Sequence, residues 1–174
     1  VGLVFWPGTP RRVDVATAQA IVAALPPMVS VVGLFVDPAA GEVRATLDAV
    51  PLDLLQFHAG EAPGFCGAFG RRYLKAIAAR EGVDLLRCAE RYADAAGWIF
   101  DAHVPGDLPG GTGRTFDWSR LPRGCARPVV LSGGLDADNV GTAIRAVRPF
   151  AVDVSSGVEA LDAAGKPRRG LKDD

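Results

Sequence analysis

The sequence predicts an α/β fold, a parallel (β/α)₈ barrel of the TIM type. Three observations lead there. Seven short apolar runs rich in β-branched and aromatic residues recur along the 174 residues, and several are continuous rather than alternating, as strands covered on both faces are. Helical stripes separate most of them, so the sheet should be parallel with right-handed crossovers. Polar and glycine-rich material follows many of the strands, as in a barrel whose functional loops share its C-terminal rim.

The first strand is expected at Val1–Trp6, followed by the loop Pro7–Arg12. Val15, Ala18, Ile21, Val22 and Leu25 then fall on one helical face, and Pro26-Pro27 ends that helix. Val29–Val36 reads as the second strand, and a shorter stripe through Val43, Leu47 and Val50 as the second helix, closed off by Pro51. Further strands are expected at Leu52–His58, Tyr73–Ala78, Gly97–His103, Pro128–Gly133 and Phe150–Ser155. Between the last two, Val140, Ala143, Ile144 and Val147 form a helix that Asp136 or Asp138 can cap and Pro149 follows. Asp117–Pro122 has room for a turn or two only.

An open doubly wound sheet is the competing architecture. It would want a glycine fingerprint after its first strand, and Pro7-Gly8-Thr9-Pro10-Arg11-Arg12 is not one. Seven units leave the barrel one short, and barrels of this class run to about 250 residues. The expectation is a single domain over residues 1–174, truncated at both ends. The first β/α unit would precede Val1, and the last helix would be absent or barely begun at Leu171.

Composition narrows the partners. Apolar residues make up 49% of the chain and the net charge is −1, which favours neither nucleic acid nor an anionic membrane surface. No apolar run approaches the roughly 18 residues of a membrane span, and no signal-peptide pattern opens the chain. Cys66, Cys88 and Cys125 form no C-x-x-C pair and no metal-ligand spacing with histidine. They read as thiols in a reducing cytoplasm, and no metal site is expected.

Four segments carry chemistry. Ser132-Gly133-Gly134 and Ser155-Ser156-Gly157 follow the last two strands, the second leading into a short stretch, Val158-Glu159-Ala160. Glycine lets backbone N–H groups close on an anion, a helix N-terminus adds partial positive charge, and the final loops of such barrels often hold phosphate. Tight strand-to-helix turns would carry the same glycines. Asp101 ends the run Trp98-Ile99-Phe100-Asp101 where catalytic groups of barrels sit, and burial among apolar neighbours would make it a usable proton donor. A carboxylate capping the next loop is the bland alternative. The loop 105–115, with Gly110, Gly111 and Gly113, reads either as a lid or as a floppy connection. Arg11 at the mouth could take a carboxylate bidentately or simply be solvated. Gln56 and His58 share a strand face that points to the rim interior.

Together these segments resemble the phosphoribosylanthranilate isomerase family over essentially the whole chain. The matching stretches are Gly2-Leu3-Val4-Phe5 with Arg11, Val32–Val36, Leu55-Gln56-Phe57-His58, Gly110–Trp118, Leu131–Leu135 and Arg148–Glu159. The resemblance implies a cofactor-free Amadori rearrangement of N-(5′-phosphoribosyl)anthranilate to 1-(o-carboxyphenylamino)-1-deoxyribulose 5-phosphate, in tryptophan biosynthesis. It makes Asp101 the general acid and Arg11 the anchor of the anthranilate carboxylate, with Gln56 and His58 also on the substrate. Gly133, Gly134, Ser155, Ser156 and Gly157 become the phosphate site, and Asp153 lies near it. The implied partner is a small phosphoribosyl substrate, with no nucleic acid or membrane. A cytoplasmic monomer is expected, a dimer or a fusion being the alternatives. The family's general base is a cysteine in a Lys-x-Cys-Gly-Ile-Thr type motif, which this sequence lacks, so activity of this chain is expected to be low. Glycine usually follows the histidine directly, whereas Ala59 stands between His58 and Gly60 here. Two rivals remain: another phosphosugar aminoaldose–ketose isomerase of the same barrel group, and an inactive truncated barrel that binds phosphate.

Overall fold

The computed structural model describes residues 1–102, 115–163 and 167–173. Seven strands form one sheet in strict chain order, and every pairing is parallel. They are β1 Gly2–Val4, β2 Val32–Phe35, β3 Leu54–Phe57, β4 Arg72–Ala78, β5 Gly97–Asp101, β6 Val129–Leu131 and β7 Ala151–Val152. Each falls in or overlaps an apolar run identified from the sequence. Except for β4, which ends with its run at Ala78, the strands end before the runs do.

Five helices are described. α1 (Val15–Ala24), α2 (Ala40–Ala49) and α5 (Val140–Val147) follow the expected stripes, and α3 (Pro63–Cys66) and α4 (Leu85–Glu90) are short additions. Asp14 caps α1 by accepting from the Thr17 N–H at 2.7 Å. Asp136 and Asp138 do not occupy the cap position of α5, which Asn139 takes. Asp136 Oδ1 instead accepts the N–H groups of Asp138 and Asn139, closing the turn before the helix. A single 3-10 turn, Trp118–Arg120, stands where little helix was expected.

Register sorts the strand residues into two faces. Leu3, Phe35, Leu55, Phe57, Tyr73, Trp98, Phe100 and Leu131 join Ala18, Val43, Ala89 and Ala143 of the helices in one buried cluster. Residues of the opposite parity, among them Gln56, Asp101 and Ser132, face the concave side. The chain then departs from expectation. Val158–Ala160 does not begin a helix, nor does the segment near Leu171; β8 (Glu159–Leu161) and β9 (Pro167–Lys172) pair antiparallel instead. This hairpin connects the ends of the sheet. Gly170 lies beside Pro10 and Arg11 after β1, and Lys172 Nζ donates to Ser155 O after β7 at 2.7 Å.

Candidate active site

The parallel register brings the inward-facing residues at the strand ends together. Ala78 pairs with Asp101, Phe100 with Leu131, and Leu131 with Val152, so Asp101, Ser132 and Asp153 fall at matching heights on neighbouring strands. Asp101 is 4% exposed, and its Oδ2 lies 2.9 Å from His58 Nε2. Gln56 Nε2 lies 3.3 Å from His58 Nδ1. An amide N–H donated to Nδ1 leaves the imidazole proton on Nε2, facing the carboxylate.

Ser132 Oγ donates to Asp153 Oδ2 at 3.2 Å. Asp153 is exposed at the mouth, with protein packed around its carboxyl. That enclosure, followed by the negative charge of Asp101, pushes its carboxyl above the ordinary carboxylate range. Gly133 seals the other side of Asp101. A Cβ there would stand 2.3 Å from Ala102 N and 2.7 Å from Asp101 Oδ1, and its φ is +91°, so only glycine fits.

The two glycine-bearing loops are in contact. Gly157 forms a parallel bridge with Asp136, and a Cβ on Gly157 would come 2.0 Å from Leu135 O. Asn139 Nδ2 holds Gly134 O at 2.8 Å. Gly134, Ser155 and Ser156 thus belong to one joined rim segment. The helix dipole expected after Gly157 is not there, since a strand follows.

Arg11 is not a solvated side chain. Its Nε and Nη2 donate to Glu159 Oε1 and Oε2 at 2.7 and 2.9 Å, and the Gly170 N–H donates to Glu159 Oε1 at 2.8 Å. Burial works against the Glu159 charge, but Arg11 and the Gly170 amide outweigh it and hold the carboxyl below its ordinary range. Two of the five guanidinium donors are used, leaving the other edge for a second carboxylate. Arg11 and Asp101 have no direct link among the described residues.

Sequence reasoning missed Glu159 as the Arg11 partner, and it missed the buried pair Lys75 and Glu61, 2.8 Å apart. A lone lysine inside Tyr-Leu-Lys-Ala-Ile-Ala was the available signal. Gly110, Gly111 and Gly113, the expected lid, lie outside the described residues. Cys66 packs between helix and sheet, where burial pushes its thiol up to about 12. Among the described residues no group of three His, Cys, Asp or Glu could hold a metal ion, and no helix is long and apolar enough to cross a membrane. Two clefts, about 840 and 750 Å³, lie away from Asp101, one beside the 3-10 turn and α5, the other at the starts of α1 and α2. Converging polar groups mark the site better than volume does.

The model of the family described as N-(5′-phosphoribosyl)anthranilate isomerase matches residues 1–166. The chain belongs to the N-(5′-phosphoribosyl)anthranilate isomerase family. A family member from Azotobacter vinelandii is 54% identical over 174 residues, covering 99% of this chain and 80% of the relative. One from Pseudomonas putida is 52% identical over 159 residues, covering 91% and 77%. The crystal structure of the family enzyme from Thermotoga maritima superposes with a TM-score of 0.85 at 36% identity, covering 99% of this chain and 81% of that one. A second family structure, in complex with reduced 1-(o-carboxyphenylamino)-1-deoxyribulose 5-phosphate, gives 0.78 at 32%, covering 99% and 80%.

Proposed function

We propose that this isomerase of tryptophan biosynthesis uses Asp101 as its general acid in a cofactor-free Amadori rearrangement of N-(5′-phosphoribosyl)anthranilate. Asp101 gives a proton to the furanose ring oxygen as the C1′–O bond breaks, and the nitrogen lone pair forms the Schiff base. Loss of the C2′ proton then gives an enolamine, which tautomerises to the ketose. Asp153 faces the same mouth, and the charge of Asp101 helps to raise the Asp153 carboxyl. His58 orients Asp101, and Gln56 fixes the His58 ring. The phosphate is received by the joined backbone of Gly133, Gly134, Ser155, Ser156 and Gly157. The free edge of Arg11 takes the anthranilate carboxylate, with Glu159 holding the guanidinium in place.

The observation that carries this reading is the buried Asp101 carboxylate at 2.9 Å from His58, on the strand next to the first phosphate loop. The chemical steps are best followed as single turnover with enzyme in excess, which separates them from product release. Under those conditions Asp101→Asn cuts the rate by at least about 10²-fold while the reduced product analogue binds as before. Near-normal turnover of that variant would remove Asp101 from the mechanism. We place the protein in the cytoplasm as a monomer, and sedimentation at micromolar concentration should return a single species with the mass of one chain.

A further inference from the structure

Lys75 and Glu61 are buried, 1% and 6% exposed, on the side of the sheet away from the concave mouth. A buried ion pair is weak evidence of a stability role, because desolvation offsets most of the attraction and an apolar pair of similar size usually serves as well. What an apolar pair cannot do is satisfy backbone groups, and this pair satisfies four. Lys75 Nζ donates to Phe57 O at 3.2 Å and Ala59 O at 2.6 Å. Glu61 Oε2 accepts from the Ala59 N–H at 2.9 Å, and Oε1 from the Asp37 N–H at 3.0 Å.

Three of the four bracket His58. The peptide groups before and after it are tied to a point on β4, and the fourth ties the same point to the end of β2. Asp37 closes the circuit by accepting from the Gly60 N–H at 3.2 Å. Tyr92 seals the pair from water, its hydroxyl donating to Glu61 O at 2.8 Å and its ring lying 5.3 Å from Lys75 Nζ. Burial disfavours the Glu61 charge, but Lys75 and the backbone donors overcome it and hold the carboxyl below its ordinary value, so Glu61 is ionised at neutral pH.

We infer that Lys75 and Glu61 are positioning residues for the acid: clamped to the backbone on both sides of His58, they set the height of its ring so that Nε2 meets Asp101 Oδ2. The inference rests on the proposed role of Asp101, but its geometry can be read without turnover. Neither residue reaches the mouth, so they act only through His58.

The chain has two histidines, so ¹⁵N-histidine labelling isolates the His58 ring, with His58→Gln to assign it. Glu61→Gln has one carbonyl oxygen where two carboxylate oxygens served, and so drops a backbone tether. The His58 ring nitrogens of that variant should shift and broaden, and exchange of the Asp37 and Ala59 amides should rise at least about tenfold relative to β5 amides. Its single-turnover rate should fall about tenfold with half-saturation within about twofold. Unchanged ring signals in a folded Glu61→Gln protein would overturn the inference. Should that variant fail to fold, native hydrogen exchange decides. The Asp37 and Ala59 amides should be as protected as those of β3 and β4 although both lie outside strands, and near-unprotected exchange would overturn the clamp. Normal turnover of Asp101→Asn would instead sink the acid assignment and leave the ring shift standing.

Discussion

Asp153 gives the protein a pH signature that can be argued residue by residue. Its carboxyl titrates above the ordinary value of 3.8 because protein encloses it and Asp101 stands near. The fold therefore prefers its neutral form. The stabilisation from that preference is complete below about 3.8, where the unfolded chain is also protonated, and is lost as pH rises through the higher folded value. Above that, the charge is a liability that asparagine removes. Asp153→Asn should raise Tm by about 1–2 °C at neutral pH, with the gain vanishing in acid, and should slow turnover. A thermal melt at two pH values checks it, and a variant equally less stable at both would contradict it. Arg11→Ala should raise KM more than it lowers kcat; an unchanged KM would remove Arg11 from the substrate. The positions of Asp101, His58 and Arg11 were legible in the sequence because each stands at the end of a strand or in the loop after it, where parity and position fix what it faces. Glu159 was not, since its partner lies far away in sequence and no local period announces an ion pair between distant segments.

Elements differ in how far the sequence discloses them. Helices α1, α2 and α5 hold two or more turns, enough for a stripe to stand out, whereas α3 and α4 are too short to show a period. The β8–β9 hairpin was missed because Val-Glu-Ala-Leu suits strand or helix equally, and only contact with Arg11 and Ser155 decides. That dependence can be tested. Glu159 is held below its ordinary value of 4.5, so its contribution is present above about 4.5 and is lost as pH falls through the lower folded value. Exchange of the Gly170 amide, which donates to Glu159, should accelerate over that fall while β4 amides remain protected. Simultaneous loss of both would show that the hairpin is no separate unit. For the clamp, Lys75→Met strands the Glu61 charge and should cost about 3–5 kcal/mol, read from a denaturant midpoint.

The whole molecule was legible where burial on both faces leaves unbroken apolar runs, and this is why seven parallel strands in chain order could be anticipated. That order also determines what a ligand can report. The two loops meet only if β6 and β7 are adjacent and their ends level, because Gly157 must lie against Leu135 and Asp136 with no room for a side chain. A phosphate ester bridging them thus binds the assembled sheet and not the unfolded chain. At a hundred times its Kd, such a ligand adds about 2.7 kcal/mol, which for a chain of this size raises Tm by roughly 5–11 °C. The reduced product analogue should do this. In Gly157→Ala the new Cβ presses on backbone, separating the loops at a cost of about 1–3 kcal/mol, so the variant should melt earlier and lose most of the ligand-induced rise. A variant that melts earlier yet keeps the full rise would place the phosphate away from these loops, and the anion would then have to be sought at another part of the rim.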